Sequence, residues 1–162
     1  MNLDFYPWVI NTDNNNEINY SEDSIFFEAN TNYIQKFHSI LTDKQLQFFE
    51  KLGVNIELLH VDCHTIHSNE VFETRFLIPG NFISIPSFQM NTYLNIDSFD
   101  NSILDKLNVT EVSEKDMLNN QIDNMQYSFK HPIIYSDNKD YQKWDCGYVC
   151  VVVILKHPIT NK

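Results

Sequence analysis

The run Val54-Asn55-Ile56-Glu57-Leu58-Leu59-His60-Val61-Asp62-Cys63-His64-Thr65-Ile66-His67, followed by Glu73-Thr74-Arg75-Phe76-Leu77-Ile78-Pro79, decides how the chain is read. Val54, Ile56 and Leu58 alternate with Asn55 and Glu57, a period of two that predicts a strand. Three of the six histidines fall within eight residues, and the chain's single arginine stands in the next apolar run. No other stretch concentrates metal-ligand and anion-binding side chains in this way.

Downstream the two-residue period continues in short pieces. Val71–Ile78, Phe82–Ile85 and Thr92–Ile96 are separated by Pro79-Gly80 and Pro86-Ser87, which predicts a meander of strands and not strand–helix–strand units. Tyr127–Phe129 and His131–Tyr135 read as further strands, and Tyr148–Leu155, β-branched from Val151 to Ile154, reads as a buried one. Upstream, Thr42 followed by Gln45 forms a capping-box pattern, with Asp43 at the positive helix start, Leu46 and Phe49 on one face and Gly53 at the stop. Phe5–Ile10 and Ser24–Glu28 read as strands, and Ile103–Leu107 and Ser113–Leu118 as short helical turns. The expectation is a single domain over 1–162, mainly β with a few helices, its core at about 54–156 preceded by a strand and helix extension over 1–53.

The totals narrow the partners. Twenty-two acidic against 11 basic residues, a net charge of −11, leave no electrostatic footprint for nucleic acid or an anionic membrane surface. No cationic segment leads into an apolar one at the start, and no apolar run approaches a membrane span, so the expected setting is cytoplasmic. Three cysteines, an odd count, point to free thiols. The Asn-, Ile- and Phe-rich composition hints at a phage, a virus or an AT-rich microbe. Oligomeric state is not legible.

His60-x-Asp62 on a strand places two side chains on one face. Two ligands from one strand and a histidine from a distant one are how a facial triad holds Fe(II) with positions open. The pair alone says little, since six histidines and 22 carboxylates in 162 residues give about 0.8 such pairs by chance. Its context is Arg75, whose guanidinium could clamp a dicarboxylate, and His131, which opens a late apolar run.

In order of parts, residues 42 to 156 resemble the 2-oxoglutarate- and Fe(II)-dependent oxygenases, including small hydroxylase-like proteins of phages and bacteria. The features are the capped helix, His60-Val61-Asp62, the Arg75 strand, Met90 and Tyr93, His131 and the Val-rich end. The resemblance implies a double-stranded β-helix (a jelly-roll or cupin-like barrel) covered by the N-terminal helix. It further implies His60, Asp62 and His131 as iron ligands, and Arg75 or Lys143, with Tyr93, on the cosubstrate. The substrate would be a small metabolite or a protein side chain. Position 141 is Tyr where the family carries a base, and His64 and His67 compete with His60 for the first ligand position; with His67, Asn69 would replace the carboxylate.

A second stretch, Asp140-Tyr141-Gln142-Lys143-Trp144-Asp145-Cys146-Gly147-Tyr148-Val149-Cys150, resembles the nucleophile segment of adenovirus-type and SUMO-type cysteine proteases. That resemblance implies Cys146 as nucleophile, Gln142 as oxyanion donor and Asp97 as the acid. The family's histidine would fall near Asn81-Phe82, where there is none, and Cys150–Leu155 reads as strand where the family has a helix. A third reading is a non-enzymatic β-barrel that binds a partner.

Overall fold

The computed structural model describes residues 1–20, 32–94, 102, 105–117, 121–134, 139–141 and 143–159. The fold is mixed α/β and mainly β, with two open sheets and no closed barrel among the described residues. The chain divides into two compact units, each with its own sheet.

One unit comprises residues 1–17, 79–120 and 129–149. Its sheet is built from β1 (Asn2–Phe5), β2 (Trp8–Asn11), β5 (Asn81–Pro86) and β6 (Asn108–Thr110), in the order β1-β2-β5-β6. The Phe5–Ile10 run expected as one strand is instead a tight hairpin. Tyr6–Pro7, a cis peptide, turns the chain so that Phe5 faces Trp8, and proline has no N–H to donate to a ladder. The N-terminal residues expected as an extension therefore form half of a sheet. β5 pairs β2 antiparallel and β6 parallel. Helix α3 (Ser87–Leu94) follows β5. The sequence predicts a strand over Thr92–Ile96; the described part is helical because Ser87 starts a helix directly after Pro86, which puts Gln89 and Tyr93 four residues apart on one buried face. Short α4 (Glu114–Met117), within the expected Ser113–Leu118 turn, is capped by Ser113, whose hydroxyl accepts from the Asp116 N–H at 3.2 Å.

The other unit comprises residues 18–78, 121–128 and 150–162. Its five-stranded sheet runs β3 (Val61–Ile66), β4 (Asn69–Pro79), β9 (Tyr148–Pro158), β8 (Met125–Lys130), β7 (Gln121–Ile122). β9 is central, which explains five consecutive buried residues from Val149 to Val153: a strand covered on both faces loses its polar alternation. β4 alternates, and Phe72, Thr74 and Phe76 point to a layer made by α1 (Asn32–Ile40) and α2 (Asp43–Lys51). Phe37 lies 6.1 Å from Phe72 and 6.0 Å from Phe49, and Phe49 lies 6.4 Å from Phe76, between ring centroids. Such aromatic packing contributes beyond its buried area, by roughly 0.5–1.5 kcal/mol per pair.

The capping box of α2 forms as the sequence predicts, and it does more than cap. Thr42 Oγ1 accepts from the Gln45 N–H, and Gln45 Oε1 accepts from the Thr42 N–H at 2.9 Å. The Gln45 amide also donates to Ile122 O at 2.9 Å and Asn124 Oδ1 at 2.7 Å, so a fully buried glutamine fastens α2 to the β7–β8 turn. Gly53 takes φ +71°, a left-handed helix stop. Before β3, the predicted strand over Val54–Leu58 is replaced at Ile56–Leu58 by a 3₁₀ turn, because the Asn55 side chain accepts from the Glu57 N–H and starts a turn. The run from His131 is likewise not a strand but a 3₁₀ turn at Pro132–Ile134, after β8 ends at Lys130. The Ser24–Glu28 strand and residues 103–104 of the Ile103–Leu107 turn lie outside the described residues.

Candidate functional site

The strongest grouping of reactive side chains is in the first unit, around His131. The ring is 2% exposed. Its residue precedes Pro132, a position biased to extended backbone, and its main-chain N–H donates to Tyr93 Oη at 3.0 Å. Tyr93 Oη also takes a hydrogen bond from the Gln89 amide. Gln89 donates to Phe129 O at 3.0 Å and accepts from Trp8 Nε1 at 2.8 Å. A buried polar chain thus runs from β2 through α3 to the residue that carries the imidazole.

The imidazole itself is fixed through both nitrogens. Nδ1 accepts from the Ile133 N–H at 3.1 Å, so the neutral ring carries its proton on Nε2. That proton is shared between Lys143 O at 2.9 Å and Trp144 O at 3.1 Å. The ring stacks on Trp144 with centroids 4.8 Å apart and planes within 8°. Trp144 in turn meets Tyr93 edge-on at 5.0 Å. Burial pushes the His131 pKa down to about 4, against the opposing pull of the Trp144 and Lys143 carbonyls and the Asp145 charge.

Cys146 Sγ lies 3.7 Å from His131 Nε2 and donates to Tyr148 O at 3.6 Å. The sequence reading sought a histidine near Asn81-Phe82 and missed this partner. No residue pattern signals the pairing, since both residues sit in turns whose paths are set by main-chain hydrogen bonds. Burial raises the Cys146 pKa, so at neutral pH thiol and imidazole are both uncharged. Cys146 stands just ahead of β9, not at a helix start, so no helix dipole favours the thiolate. Asp97 and Gln142, the other expected members of a cysteine-protease site, lie outside the described residues.

The expected iron ligands are placed differently. Asp62, on β3, has both oxygens engaged: one accepts from the Cys63 N–H at 2.9 Å, and the other pairs with His64 Nε2 at 2.7 Å. Of the competing histidines, His64 is therefore the one beside the carboxylate. His60 stands one residue before β3, with Nδ1 buried and no partner for it among the described residues. His67 takes φ +55° in the β3–β4 turn. Arg75 pairs with Glu73 at 3.2 Å, two residues along β4 on the same face, so a carboxylate of the strand already faces the guanidinium. Lys143 is exposed and contributes its carbonyl, and Tyr93 is a buried structural hydroxyl. His131, with Nδ1 accepting and Nε2 donating, has no lone pair to give a metal in this arrangement. Among the described residues no three His, Cys, Asp or Glu side chains converge as a metal site. The donor set does not fit a facial triad.

Among the described residues no helix is long and apolar enough to cross a membrane. Comparison with known proteins adds no relative: no family model matches the chain, and no curated protein or solved structure matches it significantly.

Proposed function

We propose that this chain is a non-enzymatic, β-rich binding protein. The observation that carries the reading is the commitment of His131: each ring nitrogen is engaged by main-chain groups, so the histidine 3.7 Å from Cys146 Sγ is tied into the fold and is not free as a base. The same pattern recurs at Asp62, held by His64 and the Cys63 amide, and at Arg75, facing Glu73. An excess of 11 acidic over basic residues favours a partner with a basic or neutral surface and opposes nucleic acid. The test compares the wild type with Cys146→Ser and with His60→Ala/Asp62→Ala for whatever effect the chain has in the cells that express it. Folded variants should keep the effect and the same captured partner. Loss on Cys146→Ser alone, with the fold intact, overturns the reading.

A second reading, nucleophilic chemistry at Cys146, is favoured by the 3.7 Å approach of Sγ to His131 Nε2. It requires His131 to release Lys143 O and Trp144 O and to move its proton to Nδ1, which Ile133 N–H now occupies. A thiol-directed probe that labels Cys146 of the folded protein at neutral pH faster than free glutathione supports it.

The oxygenase reading draws less support. It needs His131 to turn a lone pair outward and Asp62 to leave His64. The jelly-roll it implies is built from antiparallel strands in Greek keys, whereas β5 and β6 pair parallel. Stoichiometric Fe(II) or Mn(II) uptake that is lost in Asp62→Ala would revive it.

A further inference from the structure

We propose that His131 is an acid-released latch: protonation of its ring breaks the Ile133 contact and frees the 131–134 and 143–146 segments, so that Cys146, half-buried in the neutral form, becomes more accessible while the rest of the fold persists. The argument is one of donors and acceptors. In the neutral ring Nδ1 accepts from Ile133 N–H at 3.1 Å and Nε2 donates to two carbonyls at 2.9 and 3.1 Å. An imidazolium is a donor at both nitrogens. Its new N–H on Nδ1 would point at the Ile133 N–H, donor against donor, inside a site where the ring is 2% exposed. The Ile133 amide, in a part-buried turn, would then lose its acceptor, which costs part of the desolvation of that group. The chain relieves the clash by moving one of the two segments the ring joins.

The surroundings favour a local response. His131 is the only side chain among the described residues whose ring hydrogen-bonds to both the Ile133 amide and the Lys143 and Trp144 carbonyls. Around the ring, Trp144 presents a stacked indole and Cys146 a thiol, Tyr93 holds the His131 main-chain N–H through its hydroxyl, and the Asp145 carboxylate favours the protonated ring through its charge. Trp144 and Cys146 stand within one short turn, where the Cys146 N–H donates to Lys143 O at 3.2 Å, the same oxygen that accepts from the imidazole. Loss of the ring therefore loosens the turn that half-buries Cys146. Burial holds the closed ring's pKa at about 4 against an ordinary value of 6.5, so the latch opens progressively as pH falls from 6.5 toward 4.

The test is thiol labelling of the full chain with 4,4′-dithiodipyridine, which reacts with thiols in acid, from pH 7.5 to pH 4, normalised to free glutathione at each pH. The labelled cysteine is identified by mass spectrometry. Cys150, fully buried in β9, reports global unfolding. The latch predicts a rise in Cys146 labelling of the order of tenfold or more between pH 7.5 and pH 4.5, as the open form gains protons that the closed form refuses, with Cys150 still protected. In His131→Gln, which keeps an amide donor and has no proton to gain in this range, the rise disappears. Cys146 and Cys150 becoming reactive together, or no rise at Cys146, overturns the proposal. If His131→Gln does not fold, the wild-type profile of the two cysteines decides it alone.

Discussion

His131 Nε2 and Cys146 Sγ are 3.7 Å apart, yet the proton on that nitrogen is directed at the Lys143 and Trp144 carbonyls. Proximity of a thiol and an imidazole is therefore not activation here. A catalytic pair needs one partner to take the other's proton, and here burial disfavours the charged form of each.

The pH dependence of stability follows. The folded ring titrates at about 4 and an unfolded histidine near 6.5. Between these values the unfolded chain binds a proton that the folded chain does not, so stability falls as pH drops from 6.5 to 4. The contribution is intact above 6.5 and amounts to about 3 kcal/mol at most. Urea unfolding of the wild type and His131→Gln across this range should show the wild type losing more; parallel curves would deny the shift.

Gln45 gives a prediction on the helical layer. Gln45→Leu keeps the bulk and removes donors from Ile122 O and Asn124 Oδ1 and the acceptor for the Thr42 N–H. Stability should fall by about 2–3 kcal/mol in denaturant titration, since half of the capping box and the partner of the part-buried Ile122 carbonyl are lost together.

Thr74 gives one of opposite sign. Its Oγ1 is buried without a hydrogen-bond partner among the described residues, on the face of β4 between Phe72 and Phe76. Thr74→Val replaces that hydroxyl by a methyl of similar shape and should stabilise the protein by about 1 kcal/mol, read as a higher urea midpoint with an unchanged slope.

Gln89 joins three groups of the first unit. Gln89→Leu leaves Trp8 Nε1 and Phe129 O without the partner they have here, and should cost about 2–4 kcal/mol. Trp8 fluorescence is the local readout, and a change within 0.5 kcal/mol would show that the network contributes little.

What could be read from sequence was what local chemistry dictates. Thr42 and Gln45 announce a helix start, and the Tyr148–Leu155 run, β-branched from Val151 to Ile154, announces a buried strand, because capping and side-chain period act over a few residues. Tyr93 reads as strand from sequence, since a helix and a strand compete closely over Thr92–Leu94 and the contacts of the neighbouring Gln89 that favour the helix, to Trp8 and Phe129, are far away in the chain. The pairing of His131 with Cys146 was invisible for a related reason. Both sit in turns, whose paths are set by main-chain hydrogen bonds that carry no residue signature. His60-Val61-Asp62 shows the converse: a spacing that looks like a ligand pair proved to be a carboxylate held by His64 and by the next amide.

The most direct measurement is the protonation state of His131 in the folded protein, by ¹⁵N NMR of the imidazole across pH. The predicted result is a neutral ring at pH 7, protonated on Nε2, that gains its second proton only well below pH 6.5. A ring that is charged at neutral pH, or neutral with its proton on Nδ1 and Nε2 open to Cys146 or a metal, would contradict a binding protein whose histidine is held by its own main chain.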